Sequence, residues 1–190
     1  MKSHFFAYIS RMRFIQRWAL MRNTASENVQ EHSHQVAVLA HALAVIRNEY
    51  FNGQVDAGAV AAAALYHDAP EILTGDMPTP IKYYNPEIKD AYKQVERIAG
   101  ERLLDMLPQQ LRDSYEHLVL EDDETVNPIV KAADKLSAYI KCVEEQKAGN
   151  TEFDTAAIQT RKSLEETRLP ELQWFMQHCL DAFSLNIDQL

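Results

Sequence analysis

Four side chains of this sequence can bind a divalent metal ion, although they lie in three segments that are far apart along the chain. His32 belongs to the first segment, His67 and Asp68 are adjacent in the second, and Asp134 belongs to the third. Imidazole nitrogens together with carboxylate oxygens suit a divalent transition metal and leave coordination positions open for water and substrate. The residue types therefore predict a metal site if the fold brings the three segments together.

Helical phase indicates that two of the four face the protein interior. His32 shares a helical stripe with apolar residues at spacings of four, seven, eleven and fourteen, namely Val36, Leu39, Leu43 and Ile46. His41 lies about 900° further around the helix and is predicted on the outer face. Asp134 shares a stripe with Val130, Ser137 and Ile140. Burying an unpaired carboxylate is costly, so a lysine, an arginine or a metal ion must lie beside Asp134.

The elements that must position these groups are predicted to be helices. Asn28 and Glu31 have the form of a capping box before an amphipathic segment, 29–47. Asp56 can cap a second helix that runs through Asp68, where Pro70 forces a break and a new helical turn. Asp68 could also serve structurally, by capping that turn.

The segments after the break alternate between loop and helix. One glycine and two prolines within 74–80 predict a rigid loop able to carry binding groups. Asn85-Pro86 and Asn127-Pro128 each have the pattern of an N-cap and first helical position, for helices ending near Met106 and before Gly149. The acidic run 121–124 between them predicts a solvated loop, and the remaining predicted helices are 154–168 and 170–183.

Composition supports an all-α fold with residues 1–190 forming a single domain. Of 190 residues, 46% are hydrophobic and only five are glycine, which leaves little room for turn-rich β architecture. A net charge of -9 excludes the broad basic surface that nucleic acid polymers require, but not a small phosphorylated ligand. The isolated Cys142 and Cys179 are predicted to be core thiols. With no apolar stretch long enough for a signal peptide or membrane span, we expect a cytoplasmic protein without membrane contact.

The order of the candidate ligands resembles the HD-domain phosphohydrolase superfamily, which has a His on one helix, a His-Asp doublet at the end of another and a distant Asp on a third. Four longer segments are similar to the bacterial 5'-deoxynucleotidases: RWALMRN at 17–23, ENVQEHS at 27–33, YHDAPEILTGDMPTPIKY at 66–83 and KAADKLSAYIKC at 131–142. The resemblance covers most of the chain and implies a helical bundle of the HD-domain type.

The resemblance also implies an activity and a ligand set. Members hydrolyse deoxyribonucleoside 5'-monophosphates to the deoxyribonucleoside and phosphate, act as homodimers and use one divalent ion, with cobalt, manganese or copper supporting activity. Their ligands correspond to His32, His67, Asp68 and Asp134, of which the first, third and fourth also contact substrate.

Further roles follow from the same resemblance. Glu71 is implied to be catalytic in proton transfer, Arg17 to bind phosphate and assist catalysis, and Trp18 to stack on or wall off the sugar. The loop residues implied to contact substrate are Asp76, Met77, Pro78 and Thr79. From the residues alone, Glu71 could simply begin a surface helix, where the dipole favours glutamate, and Arg17-Trp18 could belong to an amphipathic helix.

Two other functions stay open at this point. Another HD-domain phosphohydrolase could act on a cyclic nucleotide, a nucleoside triphosphate or an alarmone. A helical nucleotide-binding module could keep the metal-binding pattern without catalysis, although the presence of Glu71 and Arg17 argues against it.

Overall fold

Helices form the regular structure of residues 2–82, 84–120 and 123–190, which the computed structural model describes, with residues 79 and 80 described by their backbone alone. Apart from an isolated antiparallel bridge between Gln16 and Asn28, these residues form no β-structure, so the all-α expectation is confirmed. Short 3-10 turns cover Ser10–Phe14, Thr151–Phe153 and Leu180–Ser184. The helices are α1 (Phe5–Ile9), α2 (Val29–Phe51), α3 (Ala57–Tyr66), α4 (Glu71–Thr74), α5 (Thr79–Lys82), α6 (Pro86–Leu104), α7 (Gln109–Val119), α8 (Asn127–Lys147), α9 (Asp154–Glu166) and α10 (Pro170–His178).

Helix α2 begins at the predicted capping box. The Asn28 side chain accepts hydrogen bonds from the backbone N–H groups of Gln30 and Glu31, and the Glu31 carboxylate accepts one from the Asn28 N–H. The helix ends at Asn52, whose φ of 54° is left-handed. It is therefore one turn longer than the predicted 29–47, because no helix breaker precedes Asn52.

The turn between α3 and α4 places the His-Asp doublet outside a helix. Asp56 caps α3 by accepting from the Ala59 N–H, as predicted, but the helix ends at Tyr66 rather than running through Asp68. Pro70 then starts α4 at Glu71. The predicted loop 74–80 is shorter in the structure, because the Pro78 carbonyl accepts from the N–H groups of Ile81 and Lys82 and thereby starts α5.

The second half of the chain differs from expectation in several places. Helices α9 and α10 end at Glu166 and His178 rather than at the predicted 168 and 183. Asn85 caps α6 as predicted, but Asn127 lies inside α8 because the Asp123 carboxylate accepts from the N–H groups of Thr125 and Val126 and starts the turn earlier. Helix α7 was not predicted at all. Residues 121 and 122 of the acidic run lie outside the described residues.

Helix α2 is the centre of the bundle, with α3 and α8 on either side and α10 packed against it. Its apolar stripe forms the main core with residues of these neighbours, and Cys142 is buried there as predicted, while Cys179 is half-buried. A second cluster joins Phe5 and Ala69 to residues of α6 and α7. Burying each large aliphatic side chain stabilises the fold by about 1.5–3 kcal/mol, so α2 is firmly fixed relative to α3 and α8. Within the described part of the chain, no helix has the length and apolar character needed to cross a bilayer.

Candidate active site

The predicted metal ligands meet where the start of α2, the end of α3 and the second turn of α8 come together. His32 lies in the first turn of α2 and is fully buried, whereas His41 on the opposite face is exposed, as predicted. His67 and Asp68 follow α3 directly, and Asp134 projects from α8. Because α2 packs between α3 and α8, residues far apart in sequence share one small volume.

Short distances join the four groups. His32 Nε2 lies 3.0 Å from Asp134 Oδ1 and 3.6 Å from Asp68 Oδ2. His67 Nε2 lies 3.2 Å from Asp68 Oδ2. The helical stripe of Asp134 predicts an interior position. Its side chain is instead 40% exposed and lies at the open side of the site. The cluster therefore has a buried floor and an accessible edge.

The spacing and orientation of these atoms suit a divalent ion. Bonds of about 2.1 Å to one ion hold neighbouring ligand atoms roughly 3.0–3.4 Å apart. Two of the three distances lie in this range, and the third, from His32 Nε2 to Asp68 Oδ2, is slightly longer at 3.6 Å. His67 Nδ1 lies 2.7 Å from the Ala64 carbonyl, and donating its proton there leaves the Nε2 lone pair facing the Asp68 carboxylate. Two electron-rich atoms at 3.2 Å need a proton or a cation beside them. His32, His67 and Asp68 together meet the spacing of a metal-holding group.

The surrounding charges keep the two aspartates ionised. Burial, the largest single influence, opposes ionisation of Asp68, but His67, His32 and Arg17 outweigh it and hold the pKa of its carboxyl well below the usual range. Burial likewise opposes ionisation of Asp134, but the hydrogen bond with His32 and the nearby imidazoles lower its pKa. Both carboxylates are thus available as anionic ligands at neutral pH.

Glu71 is the first residue of α4 and is buried, only 4% exposed. Its Oε2 has no hydrogen-bond partner among the described residues. Burial first, and then the negative charges of Asp68 and Asp76, raise the pKa of Glu71 to about 9 in the metal-free protein. The structure therefore contradicts the alternative that Glu71 merely begins a surface helix.

Arg17 and Trp18 lie in a bend beside the start of α2, directly after the bridge residue Gln16, which excludes the alternative of an amphipathic helix there. Arg17 Nη1 donates to Asp68 Oδ2 at 3.3 Å, while its buried Nε finds no hydrogen-bond acceptor among the described residues. Trp18 has a φ of 58°, packs its ring 5.2 Å from that of Phe153, and donates its indole N–H to Glu27 at 2.8 Å. Arg17 is thus joined directly to the candidate ligand cluster.

The loop between α4 and α5 borders the same site. Asp76 is half-buried, and burial raises the pKa of its carboxyl although Arg17 opposes the shift, so the two groups are within electrostatic reach. Met77 and Pro78 are also half-buried. Thr79 begins α5, but its side chain lies outside the described part of the structure. None of these loop residues has a hydrogen bond to the ligand cluster within that part.

Two residues near the site were not predicted. Glu27 lies 3.4 Å from His32 Nδ1 and accepts the Trp18 indole hydrogen bond, and Tyr92 on α6 donates its hydroxyl to the Gly75 carbonyl at 3.2 Å. Tyr92 thereby fixes the loop that carries Asp76. A signal for Glu27 existed in its place directly before the capping box, within the segment ENVQEHS.

Comparison with known sequences identifies one family. The model of the family described as "5'-deoxynucleotidase YfbR-like" matches residues 4–183. A 5'-deoxynucleotidase of Klebsiella pneumoniae (strain 342) is 51% identical over 191 residues, covering 100% of this chain and 96% of its own. A 5'-deoxynucleotidase of Shewanella oneidensis is 50% identical over 190 residues, covering 99% of this chain and 97% of its own.

Solved structures confirm the HD-domain type of the fold. An HD-domain phosphohydrolase from Listeria innocua superposes with a TM-score of 0.83 at 22% identity, over 95% of this chain and 88% of its own. The HD phosphohydrolase DatZ of cyanophage S-2L, solved with dA and one catalytic Zn2+ ion, gives a TM-score of 0.64 at 20% identity, over 92% of this chain and 95% of its own.

Proposed function

The chain belongs to the YfbR-like 5'-deoxynucleotidase family, and from this premise we propose that it is a metal-dependent 5'-deoxynucleotidase. The substrates are deoxyribonucleoside 5'-monophosphates, and the products are the deoxyribonucleoside and phosphate. The observation that carries the proposal is the convergence of two imidazoles and two carboxylates beside a buried glutamate and an arginine.

We assign one divalent ion to His32, His67, Asp68 and Asp134. Such an ion supplies Lewis-acid polarisation of the phosphoryl group and lowers the pKa of water. The family resemblance makes cobalt, manganese and copper the candidate ions, and mixed imidazole and carboxylate ligands accept several transition metals. The site is open at its Asp134 edge, and we assign contacts with the substrate phosphate to Asp68, Asp134 and His32 as well.

Proton transfer is assigned to Glu71. Its buried carboxyl has one oxygen without a partner and holds its proton at neutral pH when no cation is near. It can give that proton to the leaving 5' oxygen or, once ionised beside a cation, take one from the attacking water. The water oxygen bonds to phosphorus as the bond from phosphorus to the 5' oxygen breaks. One proton of the water ends on the 5' oxygen of the released deoxyribonucleoside, and the phosphate keeps the water oxygen.

Substrate positioning is assigned to Arg17, Trp18 and the loop 76–79. The Arg17 guanidinium has a buried donor without an acceptor, which a phosphate oxygen can satisfy, and its charge offsets the charge that develops during transfer. Trp18 stacks on or walls off the sugar. Asp76 accepts a sugar hydroxyl, while Met77, Pro78 and Thr79 line the nucleotide.

A panel of matched nucleotides tests the proposal. The purified protein, supplied with Co2+ or Mn2+, is assayed for phosphate release from dAMP and dGMP against AMP and GMP. We expect release from the deoxyribonucleotides and much less from the ribonucleotides. The absence of release from any monophosphate, with metal shown to be bound, would contradict the proposal, and triphosphate release from dATP would indicate a different HD-domain activity.

Two further expectations stay predictions. We propose a homodimer, which light scattering coupled to size-exclusion chromatography would show as twice the chain mass of 21.8 kDa. We propose a cytoplasmic location, which fractionation of the source cells tests.

A further inference from the structure

One carboxylate outside the assigned site contacts three residues within it. Glu27 Oε1 lies 3.4 Å from His32 Nδ1. Glu27 Oε2 accepts the Trp18 indole N–H at 2.8 Å and lies 3.9 Å from Arg17 Nε. We infer that Glu27 is a positioning residue that orients the ligand His32 for metal binding and holds Trp18 for nucleotide binding, an inference that rests on the proposed function.

The first contact controls which nitrogen of His32 is available to a metal. Nε2 of His32 faces Asp134 and Asp68, so Nδ1 must carry the proton if Nε2 is to offer its lone pair. The groups facing Nδ1 are the Glu27 carboxylate at 3.4 Å and the Ser137 hydroxyl at 3.3 Å. A hydroxyl can donate or accept, whereas a carboxylate only accepts, so Glu27 is the group that selects the productive tautomer and orients the imidazole ring.

The second contact maintains an unfavourable backbone conformation. Trp18 has a φ of 58°, in the left-handed region that bulky residues rarely adopt. Such a conformation persists only where the surroundings determine it, and here the indole is held between the Phe153 ring and the Glu27 carboxylate. Loss of the Glu27 acceptor would leave the Trp18 indole N–H without this partner, and Trp18 could then leave the conformation that it holds beside Arg17.

The backbone around Glu27 is itself fixed, so its carboxylate is preorganised. Its carbonyl accepts from the Arg17 N–H at 3.0 Å, next to the bridge between Gln16 and Asn28. The intervening segment is tied to α8, where the buried Glu145 accepts from the backbone and hydroxyl of Thr24. Glu27 is therefore held in place from both sides of the segment and can in turn orient His32 and Trp18.

Two substitutions separate the two contacts. Glu27→Gln removes the charge facing His32 but keeps an oxygen that can accept from Trp18, whereas Glu27→Ala removes both. Glu31→Gln is the matched control, because Glu31 lies in the first turn of α2 and, among the described residues, its carboxylate bonds to the Asn28 N–H and to none of the assigned ligands. The metal-free proteins are titrated with Co2+ and followed by visible absorption, and KM and kcat for dAMP are then measured at saturating Co2+.

We expect Glu27→Gln and Glu27→Ala to weaken Co2+ binding by about tenfold or more, and Glu31→Gln to leave it unchanged. At saturating Co2+, Glu27→Ala should raise KM for dAMP well above the value for Glu27→Gln. Wild-type Co2+ affinity in Glu27→Gln would overturn the His32 role, and equal KM values in the two variants would overturn the Trp18 role. If wild type releases no phosphate from dAMP, the proposed function fails, while the Co2+ titration still decides the role of Glu27 at His32.

Discussion

Replacing Glu71 by Gln should stabilise the metal-free protein while abolishing its activity. Glu71 is 4% exposed, and its pKa is raised from 4.5 to about 9, so the folded protein keeps a proton there that the unfolded chain releases. Between those two pH values the folded state binds more protons than the unfolded state, and stability falls as pH rises. Glutamine has the shape of the protonated acid and does not titrate, so the variant escapes this loss.

The expected gain follows from the linkage between pKa and stability. Each pH unit above 4.5 costs the wild type about 1.4 kcal/mol, which amounts to roughly 3 kcal/mol at pH 7 and under about 1 kcal/mol at pH 5. For a chain of this length, about 3 kcal/mol corresponds to a rise in Tm of roughly 6–12 °C. The advantage of Glu71→Gln should therefore grow steadily from pH 5 to pH 8.

The assay is thermal unfolding in the presence of EDTA at pH 5, 6, 7 and 8, together with phosphate release from dAMP in the presence of Co2+. Glu49→Gln is the matched control, because Glu49 is exposed on α2 and the same change there should alter stability by no more than about 0.5 kcal/mol. A Tm for Glu71→Gln equal to or below that of wild type at pH 7, or a difference that shrinks as pH rises, would refute the reasoning. Wild-type turnover in the variant would refute the proton-transfer role.

Three further variants test the surroundings of the site. Arg17→Lys should lower kcat/KM for dAMP by about 100-fold with Co2+ affinity retained, because an ammonium cannot reproduce the planar donors; unchanged kinetics would exclude a phosphate role. Tyr92→Phe should lower the free energy of unfolding by about 1 kcal/mol and raise KM, because it leaves the Thr74 hydroxyl as the one remaining side-chain donor to the Gly75 carbonyl among the described residues, whereas Tyr84→Phe on the exposed surface should do neither. Glu145→Gln should lower that free energy by about 3–5 kcal/mol at pH 7, measured by urea unfolding. Burial opposes ionisation of Glu145, but hydrogen bonds from Lys141, Asn150 and Thr24 hold its pKa below the usual range. The wild type should therefore be more stable than Glu145→Gln above pH 4.5, and this difference should decline as pH falls. A stability difference that does not change with pH would contradict the expectation.

The position of a candidate ligand could be predicted from the sequence where its burial depends on the phase of one helix. The burial of His32 follows from its phase within α2, and the start of that helix follows from Asn28 and Glu31, which act over three residues. The phase of Asp134 gave its direction but not its exposure. Its carboxylate is 40% exposed. That exposure depends on how other segments border the site, and the periodicity of α8 carries no information about those segments.

Contacts between segments account for what was missed. Glu27 reaches His32 and Trp18 because an extended segment pairs Gln16 with Asn28, and such a pairing has no periodic signal in a helical sequence. Helix α7 begins after Pro108 without a capping side chain, so the local start signal was absent. The end of α3 at Tyr66, two residues before the predicted end, depends on the turn that brings His67 and Asp68 to α2.

The most direct test of the central claim is a Co2+ titration of the EDTA-treated protein, followed by phosphate release from dAMP. The four assigned ligands predict that removal of metal abolishes release and that activity returns in proportion to added Co2+ until one equivalent per chain is bound. Activity that survives complete removal of metal, or that needs two equivalents per chain, would contradict the assignment of one catalytic ion to His32, His67, Asp68 and Asp134.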